Sequence, residues 1–303
     1  MKSLLATLRQ YWTIIRTATL AFVDGQAFTY SASLAFYTIF SLPAILLIAI
    51  WIASIIFDQA TVQEALVGQV NGLVGSASAD EIQRIIDAVA ISDKNIWARI
   101  LGIATLVFSA TTVFTSLQNS LNQIWRVKQK PEKGFVKFLI NRLLSLSMVV
   151  SLGFLLLVSL MADTVFTIFS DWLAYWLSEW GTILIQVVSL GFSLLITTIL
   201  FGLIYKVLPD VIIGWKNIRF GALVTTVLFF VGKFLIGFYL GNSSVADAYG
   251  AASAIIITLI WVYYSGLIVL FGAQLTYSHA EVFGYHIKPY GNAVHIEVKE
   301  VES

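Results

Sequence analysis

The sequence contains no cysteine, only four prolines and few charged side chains, which make up 12% of its 303 residues. Without cysteine the chain can form no disulfide, thiolate metal site or cysteine nucleophile. Soluble domains carry about 25% charged residues, so this chain has too few charges for a surface that faces only water. Disorder is also excluded, because disordered chains are poor in aromatic residues and this chain has 21 Phe, 12 Tyr and 9 Trp.

Hydrophobic residues, by contrast, make up 58% of the chain, and its mean hydropathy is +0.86. Six apolar stretches have the length of about 20 residues that a helix needs to cross a bilayer. They are Gln26–Phe57, Ile96–Leu117, Phe138–Phe169, Trp180–Tyr205, Phe220–Leu240 and Tyr249–Ser278. Runs such as Leu143–Ala162 do not alternate in the manner of transmembrane β-strands. The sequence therefore predicts an all-α polytopic membrane protein with six transmembrane helices.

The connecting segments differ strongly in positive charge. Most of the 18 Lys and Arg lie before the first stretch, after the second, after the fourth or after the sixth. Because positive charge marks cytoplasmic loops, we expect both termini in the cytoplasm. The predicted organisation is an interfacial helix over 1–25, a transmembrane domain over 26–278 and a polar, partly flexible tail over 279–303.

Two regions outside the predicted spans have amphipathic patterns. Ser3–Phe22 has apolar residues at helical spacing, which predicts a helix on the membrane surface. The basic residues in this region leave no compact apolar core of the kind found in a cleavable signal peptide. The external segment 58–95 contains two apolar series, and we expect two short helices that cap the outer face.

Lys233 lies inside the fifth apolar stretch, roughly 10 Å from its outer end at about 1.5 Å per residue. A charge near the bilayer centre costs about 2.5–3.5 kcal/mol on insertion scales. Helical side chains lean toward the N-terminus, here the cytoplasmic end, so we expect Lys233 to face a polar cavity or an acidic partner. Asp163 is the first candidate partner and Asp247 the second. A structural ion pair, or a lysine that extends to the membrane surface, is the alternative.

Polar side chains form stripes at helical spacing on the first two spans. The first stripe consists of Gln26, Tyr30, Ser33, Tyr37 and Ser41. The second consists of Ser109, Thr112, Ser116, Asn119 and Gln123, with Gln118, Asn122 and Arg126 in a neighbouring row. Two polar stripes on adjacent helices predict a substrate path between them. Interhelical hydrogen bonding is the alternative for the Ser and Thr positions, but it explains the amide cluster less well.

A basic segment follows the second span and begins with Arg126, Lys128 and Lys130. The first interpretation of this positive charge is topological, because Lys and Arg keep a loop on the cytoplasmic side of the membrane. Contact with anionic lipid headgroups is the second interpretation. No phosphate-binding glycine loop, paired-histidine metal motif or Gly-x-Ser-x-Gly turn is present in the sequence. We therefore expect no enzymatic activity, no cofactor and no bound metal.

Several short motifs, taken in order along the chain, resemble the YihY/BrkB family of bacterial inner-membrane envelope integrity proteins, formerly labelled ribonuclease BN. They are Ala32–Tyr37 with Ser41–Pro43, Leu121–Trp125, Leu208–Pro209 with Trp215 and Gly221–Ala222, Tyr249–Ala251, Leu259–Tyr263 and Gly272–Leu275. The resemblance covers roughly Phe22–Glu281. One position departs from it, because Gln274 stands where the family pattern leads us to expect an acid.

The resemblance implies a six-helix inner-membrane protein with both termini inside and a role in envelope integrity. Together with the polar stripes, it favours a protein that moves a lipid or lipid-linked amphiphile, with membrane lipids as its partners. A pore or carrier for a small solute or ion is an alternative. A non-transporting scaffold is another, with a second copy or an envelope protein as its partner. Nucleic acid is not expected to bind, because the cytoplasmic segments contain no evident acidic cluster for RNA cleavage.

Overall fold

The computed structural model describes residues 2–54, 58–74, 79–80, 83–84, 96–130, 179–242, 253–285, 287–291 and 293–296. The helices in these ranges are α1 (Lys2–Asp24), α2 (Ala27–Ala53), α3 (Gln59–Val74), α4 (Ile96–Ile124), α5 (Glu179–Val207), α6 (Trp215–Asn242) and α7 (Ser253–Val282). The strands are β1 (Val127–Gln129), β2 (Val211–Ile212), β3 (Lys288–Pro289) and β4 (Ala293–His295). The prediction of a mostly helical chain is confirmed.

Three of these helices contain segments long and apolar enough to cross a membrane, namely Val187–Val207, Trp215–Tyr239 and Ile255–Val282. These segments belong to the predicted fourth, fifth and sixth spans, and α2 and α4 correspond to the first and second. The predicted third span, Phe138–Phe169, lies outside the described residues, as do Asp163 and Asp247. The prediction of six spans therefore stays a prediction.

The helix α7 is the centre of the bundle, since α1, α2, α4 and α6 all pack against it and α5 packs against α6. The contact between α6 and α7 is unusually close at two glycines. A Cβ on Gly221 would collide with the Thr276 side chain and with the backbone of Gly272, and a Cβ on Gly272 would collide with Thr225. Only glycine permits this approach of the two helices.

A buried tyrosine joins three helices next to this close contact. The Tyr205 hydroxyl of α5 lies 2.8 Å from Thr225 Oγ1 of α6 and donates to the Val269 carbonyl of α7 at 2.8 Å. The hydroxyl thus has polar partners in an otherwise apolar environment, as a buried polar group requires.

Two short antiparallel ladders lie at one end of the bundle, which we call the ladder end. In the first ladder β1 pairs with β4, and in the second β2 pairs with β3. The strands β3 and β4 belong to a segment that we call the C-terminal strap, residues 287–291 and 293–296. The strap therefore joins the chain after α4 to the connection between α5 and α6. These strands were not predicted, since the tail was expected to be partly flexible.

The largest buried apolar cluster also lies at the ladder end. Its fully buried members include Leu121, Trp125, Val127, Tyr205, Leu208, Val211, Ile218, Leu270 and Ala273. The Trp125 indole N–H donates to the Ala273 carbonyl at 3.0 Å, which attaches the end of α4 to α7. Along α5 and α6, in contrast, large apolar side chains such as Leu195, Val231 and Phe234 are exposed. Such a distribution is typical of helices that face lipid.

The helix α1 packs along the last turns of α7. The Tyr11 ring lies 5.2 Å from the Phe220 ring and 6.3 Å from the His279 ring, and Phe22 lies 5.3 Å from Phe271. Other large apolar side chains of α1 are exposed, namely Trp12, Ile15, Leu20 and Val23. The predicted helix is therefore present, and its contact with a membrane surface stays a prediction.

The helix α3 occupies the first of the two apolar series predicted to cap the outer face. The Asp58 carboxylate accepts a hydrogen bond from the Ala60 N–H at 3.1 Å and so caps the start of this helix. α3 packs against α2, α6 and α7, and Val62 is buried there. Most of the second predicted helix of this segment lies outside the described residues.

Candidate functional site at the ladder end

Asp210 is the hub of a buried cluster of amide side chains. Its Oδ2 accepts hydrogen bonds from Gln118 Nε2 at 3.2 Å and from Asn122 Nδ2 at 2.7 Å. A third bond comes from Gln129 Nε2 at 2.9 Å. Asn122 also accepts a bond from the Asp210 backbone N–H at 2.9 Å. Because Asp210 is only 7% exposed, these donors replace the water that a carboxylate would otherwise need.

The position of Asp210 follows from the local sequence. Pro209 cannot continue the helix α5, and the Val211 N–H bonds to the Pro209 carbonyl at 2.9 Å in the turn that follows. The same turn presents the Asp210 carbonyl to the Tyr290 N–H of the C-terminal strap at 2.9 Å. Asp210 thus joins α4, β1, the α5–α6 connection and the strap in one hydrogen-bonded junction.

A cleft of about 230 Å³ lies at the same end of the molecule, where the turn between α1 and α2 meets the ends of α4 and α7. Its polar lining comes from three amides and a phenol, Gln26, Tyr30, Gln123 and Gln274, and from Arg126. Its apolar lining includes Phe22 and Ile124. The cleft therefore combines a small polar surface with apolar walls, as sites for amphiphilic ligands do.

Arg126 is the single charged residue among those that line this cleft. Its guanidinium carbon lies 5.7 Å from the centre of the Tyr277 ring, within the range of a cation–π contact. The Tyr277 hydroxyl in turn hydrogen-bonds with Glu281. A guanidinium presents several N–H donors in one plane and so suits a phosphate or carboxylate. The cleft can therefore bind an anion next to an apolar surface.

The two neighbouring amide rows of α4 have different surroundings in the structure. Gln118 and Asn122 are buried against Asp210, whereas Gln123 lines the cleft and Asn119 is exposed. Of the predicted path residues, Tyr30 and Gln123 are therefore brought together with Arg126. Asn122 serves the neighbouring junction instead.

The two serine hydroxyls of the first stripe bond to backbone carbonyls. Ser33 Oγ donates to the Thr29 carbonyl at 3.0 Å within α2. Ser41 Oγ is buried and lies 2.7 Å from the Tyr37 carbonyl and 2.8 Å from the Ser109 carbonyl of α4. At Ser41 the interhelical hydrogen bond considered from the sequence is present. The Tyr37 side chain is 38% exposed and lies next to the Phe36 ring.

Lys233 is exposed on α6, and the two acids considered as its partners lie outside the described residues. The prediction that Lys233 faces a polar cavity or an acidic partner therefore stays a prediction, and so do its alternatives. Lys128 and Lys130 are also exposed. Lys130 Nζ donates to the Gly291 carbonyl of the strap at 2.8 Å, so this side chain supports the ladder end rather than the cleft. Lys128 pairs through its backbone with Val294.

Two residues of this site were missed by the sequence reasoning. Asp210 was not singled out from the sequence, although it directly follows the Leu208–Pro209 motif, and this adjacency was a usable signal. Gln129 carried no signal, because its bond to Asp210 depends on the ladder between β1 and β4. In the described part of the chain, no group of three or more His, Asp or Glu side chains could hold a metal ion.

The apolar helices and the polar ladder end define a helical membrane protein. The family model described as virulence factor BrkB matches residues 19–297, so the chain belongs to the BrkB family. The resemblance to the YihY/BrkB family is thereby confirmed. No solved structure matches the chain.

Similar curated proteins are UPF0761 membrane proteins of Xanthomonas. Those of Xanthomonas axonopodis pv. citri and Xanthomonas euvesicatoria pv. vesicatoria are each 28% identical over 262 residues, or 85% of this chain. A relative in Xanthomonas oryzae pv. oryzae is 28% identical over 264 residues. The chain spans 58 to 59% of the length of these relatives, and their names describe membrane proteins without an activity.

Proposed function

We propose that this protein moves an anionic lipid or lipid-linked amphiphile across or within the bacterial inner membrane and so contributes to envelope integrity. The observation that carries the proposal is the ladder-end cleft, in which Arg126 stands among neutral amides beside apolar side chains. An anionic headgroup would bind to Arg126 while its acyl chains stay next to Phe22 and Ile124. In this proposal the protein is not an enzyme and uses no cofactor.

The distribution of basic residues supports a cytoplasmic position of the ladder end. The elements at this end contain Arg126, Lys128, Lys130, Lys206, Lys216, Arg219 and Lys288. Because Lys and Arg are concentrated on the cytoplasmic side of membrane proteins, we propose six spans with both termini in the cytoplasm. The cleft would then open toward the inner leaflet, where anionic lipids attract basic segments at about 1 kcal/mol per residue.

The charge of the cleft favours an anionic over a zwitterionic headgroup. Its other polar lining residues, Gln26, Tyr30, Gln123 and Gln274, are neutral. An acid at position 274 would place a negative charge in the lining next to Arg126, whereas glutamine supplies an N–H donor and a carbonyl acceptor. The guanidinium is therefore available to a phosphate, which it can bind through two parallel hydrogen bonds.

Lipid movement in reconstituted vesicles tests the proposal. A fluorescent anionic phospholipid is incorporated, and its exposure to an external quencher is followed with wild-type protein, Arg126→Gln, Lys233→Met and Lys128→Gln. Loss of a charge-assisted contact of about 1.5–3 kcal/mol predicts that Arg126→Gln slows movement at least about tenfold. Lys233→Met slows movement as well if this lysine belongs to the path.

Lys128→Gln is the matched control, since Lys128 has the same charge, lies two residues away and does not line the cleft. If Arg126→Gln and Lys128→Gln slow lipid movement equally, the rate depends on the total positive charge of this region and not on the cleft. If wild-type protein does not accelerate lipid movement, the proposal of passive lipid transport is wrong. Flux of a small solute through the same vesicles would then favour the pore or carrier.

A further inference from the structure

Arg126 has a backbone conformation that a residue with a side chain rarely adopts. Its φ is +54°, in the left-handed region, and it is the single non-glycine residue with positive φ in the described part of the chain. This conformation ends α4, and the Arg126 N–H bonds to the Gln123 carbonyl at 3.1 Å. Because the left-handed region is unfavourable for L-residues, neighbouring contacts must hold Arg126 in this position.

Those contacts come from the C-terminal strap. The Arg126 carbonyl accepts a hydrogen bond from the Ile296 N–H at 2.8 Å and lies 3.2 Å from His295 Nδ1. The other ring nitrogen of His295, Nε2, lies 3.0 Å from the Ile287 carbonyl. A carbonyl oxygen only accepts hydrogen bonds, so each contact is a bond when that ring nitrogen carries a proton. The imidazole thus lies between the Arg126 carbonyl and the Ile287 carbonyl at the start of the strap.

The strap has other attachments that do not involve the His295 side chain. Its backbone pairs with β1 at Lys128 and Gln129. The Tyr290 N–H bonds to the Asp210 carbonyl, and the Gly291 carbonyl accepts a bond from Lys130. Removal of the imidazole therefore leaves the strap attached, while Arg126 loses one of the two contacts on its carbonyl.

We propose that His295 is a positioning residue for the anion site of the cleft. Its Nδ1–H bond to the Arg126 carbonyl holds the left-handed turn that places Arg126 in the lining of the cleft. The inference rests on the proposed function, since it names the residue that holds Arg126 in place at the same lipid-headgroup site. The ligand class is a phosphate-bearing anionic headgroup with its acyl chains in the bilayer.

Two substitutions test the roles of the two ring nitrogens of His295 separately. The amide nitrogen of His295→Asn occupies nearly the position of Nδ1 and retains a donor to the Arg126 carbonyl. The longer side chain of His295→Gln places its amide nitrogen near Nε2 and retains a donor to the Ile287 carbonyl. If His295 acts through Arg126, the Asn variant retains the affinity of wild-type protein for anionic lipid. The Gln variant then binds about five- to tenfold more weakly, as expected for one hydrogen bond.

The full chain in detergent is titrated with fluorescent phosphatidylglycerol and, separately, with phosphatidylcholine, and thermal unfolding of each variant is recorded. We expect a difference between the Asn and Gln variants in phosphatidylglycerol binding without a matching difference in melting temperature. Equal binding by the two variants, or a loss that follows the melting temperature, would overturn the positioning role. Inorganic phosphate is added as a competitor, and displacement of the lipid at micromolar phosphate would identify free phosphate as the ligand.

The Arg126→Gln variant distinguishes a failure of the positioning role of His295 from a failure of the proposed function. If Arg126→Gln binds phosphatidylglycerol as wild-type protein does, the cleft is not the headgroup site and both proposals fail. If Arg126→Gln binds weakly while His295→Asn and His295→Gln bind equally, only the positioning role of His295 is wrong.

Discussion

At the scale of single residues, adjacent amides on α4 have different surroundings. Asn122 donates to the Asp210 carboxylate and accepts from its backbone, whereas Gln123, the next residue of the helix, lines the cleft. Successive helical residues are turned by about 100°, because an α-helix has about 3.6 residues per turn. The spacing of the amides therefore predicted two rows correctly, but it could not show which row would meet a buried carboxylate.

Asn122→Ala should strongly destabilise the protein, because it removes the bonds that Asn122 makes to the Asp210 N–H and to the Asp210 carboxylate. Loss of bonds to a buried charged group costs about 1.5–3 kcal/mol, so we expect a clear decrease in melting temperature in detergent. Asn119→Ala is the matched control and should change stability by less than about 0.5 kcal/mol. Equal melting temperatures for the two variants would contradict a structural role of the Asp210 junction.

At the scale of elements, the contact between α6 and α7 depends on glycines that the sequence did not single out as a pair. Gly237 and Gly241, four residues apart on α6, have the spacing of a small-residue pair. However, a Cβ on Gly237 would meet no atom within 4 Å, whereas one on Gly221 would collide with Thr276 and Gly272. Among the described residues, a side chain at Gly237 would therefore have open space, whereas the close internal contact of α6 lies at Gly221.

Gly221→Ala should separate α6 from α7 and lower the melting temperature, since neither backbone nor a buried threonine can move aside without cost. Gly237→Ala is the matched control on the same helix. It should leave stability unchanged or raise it by up to about 1 kcal/mol, because alanine favours helix. Thermal unfolding of both variants measures the difference, and a Gly221→Ala protein as stable as wild type would disprove the close contact.

At the scale of the whole molecule, the two ends of the described bundle differ in character. The ladder end contains the strands, the Asp210 junction, the cleft and a concentration of Lys and Arg. The helix α3 packs against α2, α6 and α7 and follows the predicted outer end of the first span. This difference supports the proposed orientation, with the ladder end in the cytoplasm and α3 outside.

Because the chain has no cysteine, single cysteines report this orientation directly. Glu64→Cys places a thiol on α3 and Lys128→Cys places one on β1, and both positions are exposed. In intact cells a membrane-impermeant maleimide should label Glu64→Cys, whereas Lys128→Cys should react only after permeabilisation. The cysteine-free protein is the control for background. The opposite labelling pattern would show that the orientation in the membrane is inverted. Labelling of both variants in intact cells would show that the two positions lie on the same, outer side of the membrane.

The sequence by itself determined that this is a mostly helical membrane protein of the BrkB family, because long apolar runs and ordered motifs are local properties of the chain. It also singled out Arg126 and Gln123 as candidate binding residues through their charge and spacing, and both line the cleft. Only the tertiary structure decided that Asp210 is a junction, that Gln274 and Tyr30 share a cleft with Arg126, and that His295 contacts the Arg126 carbonyl. Strands of two or three residues have no readable periodicity, and their pairing depends on segments more than 70 residues apart in the chain.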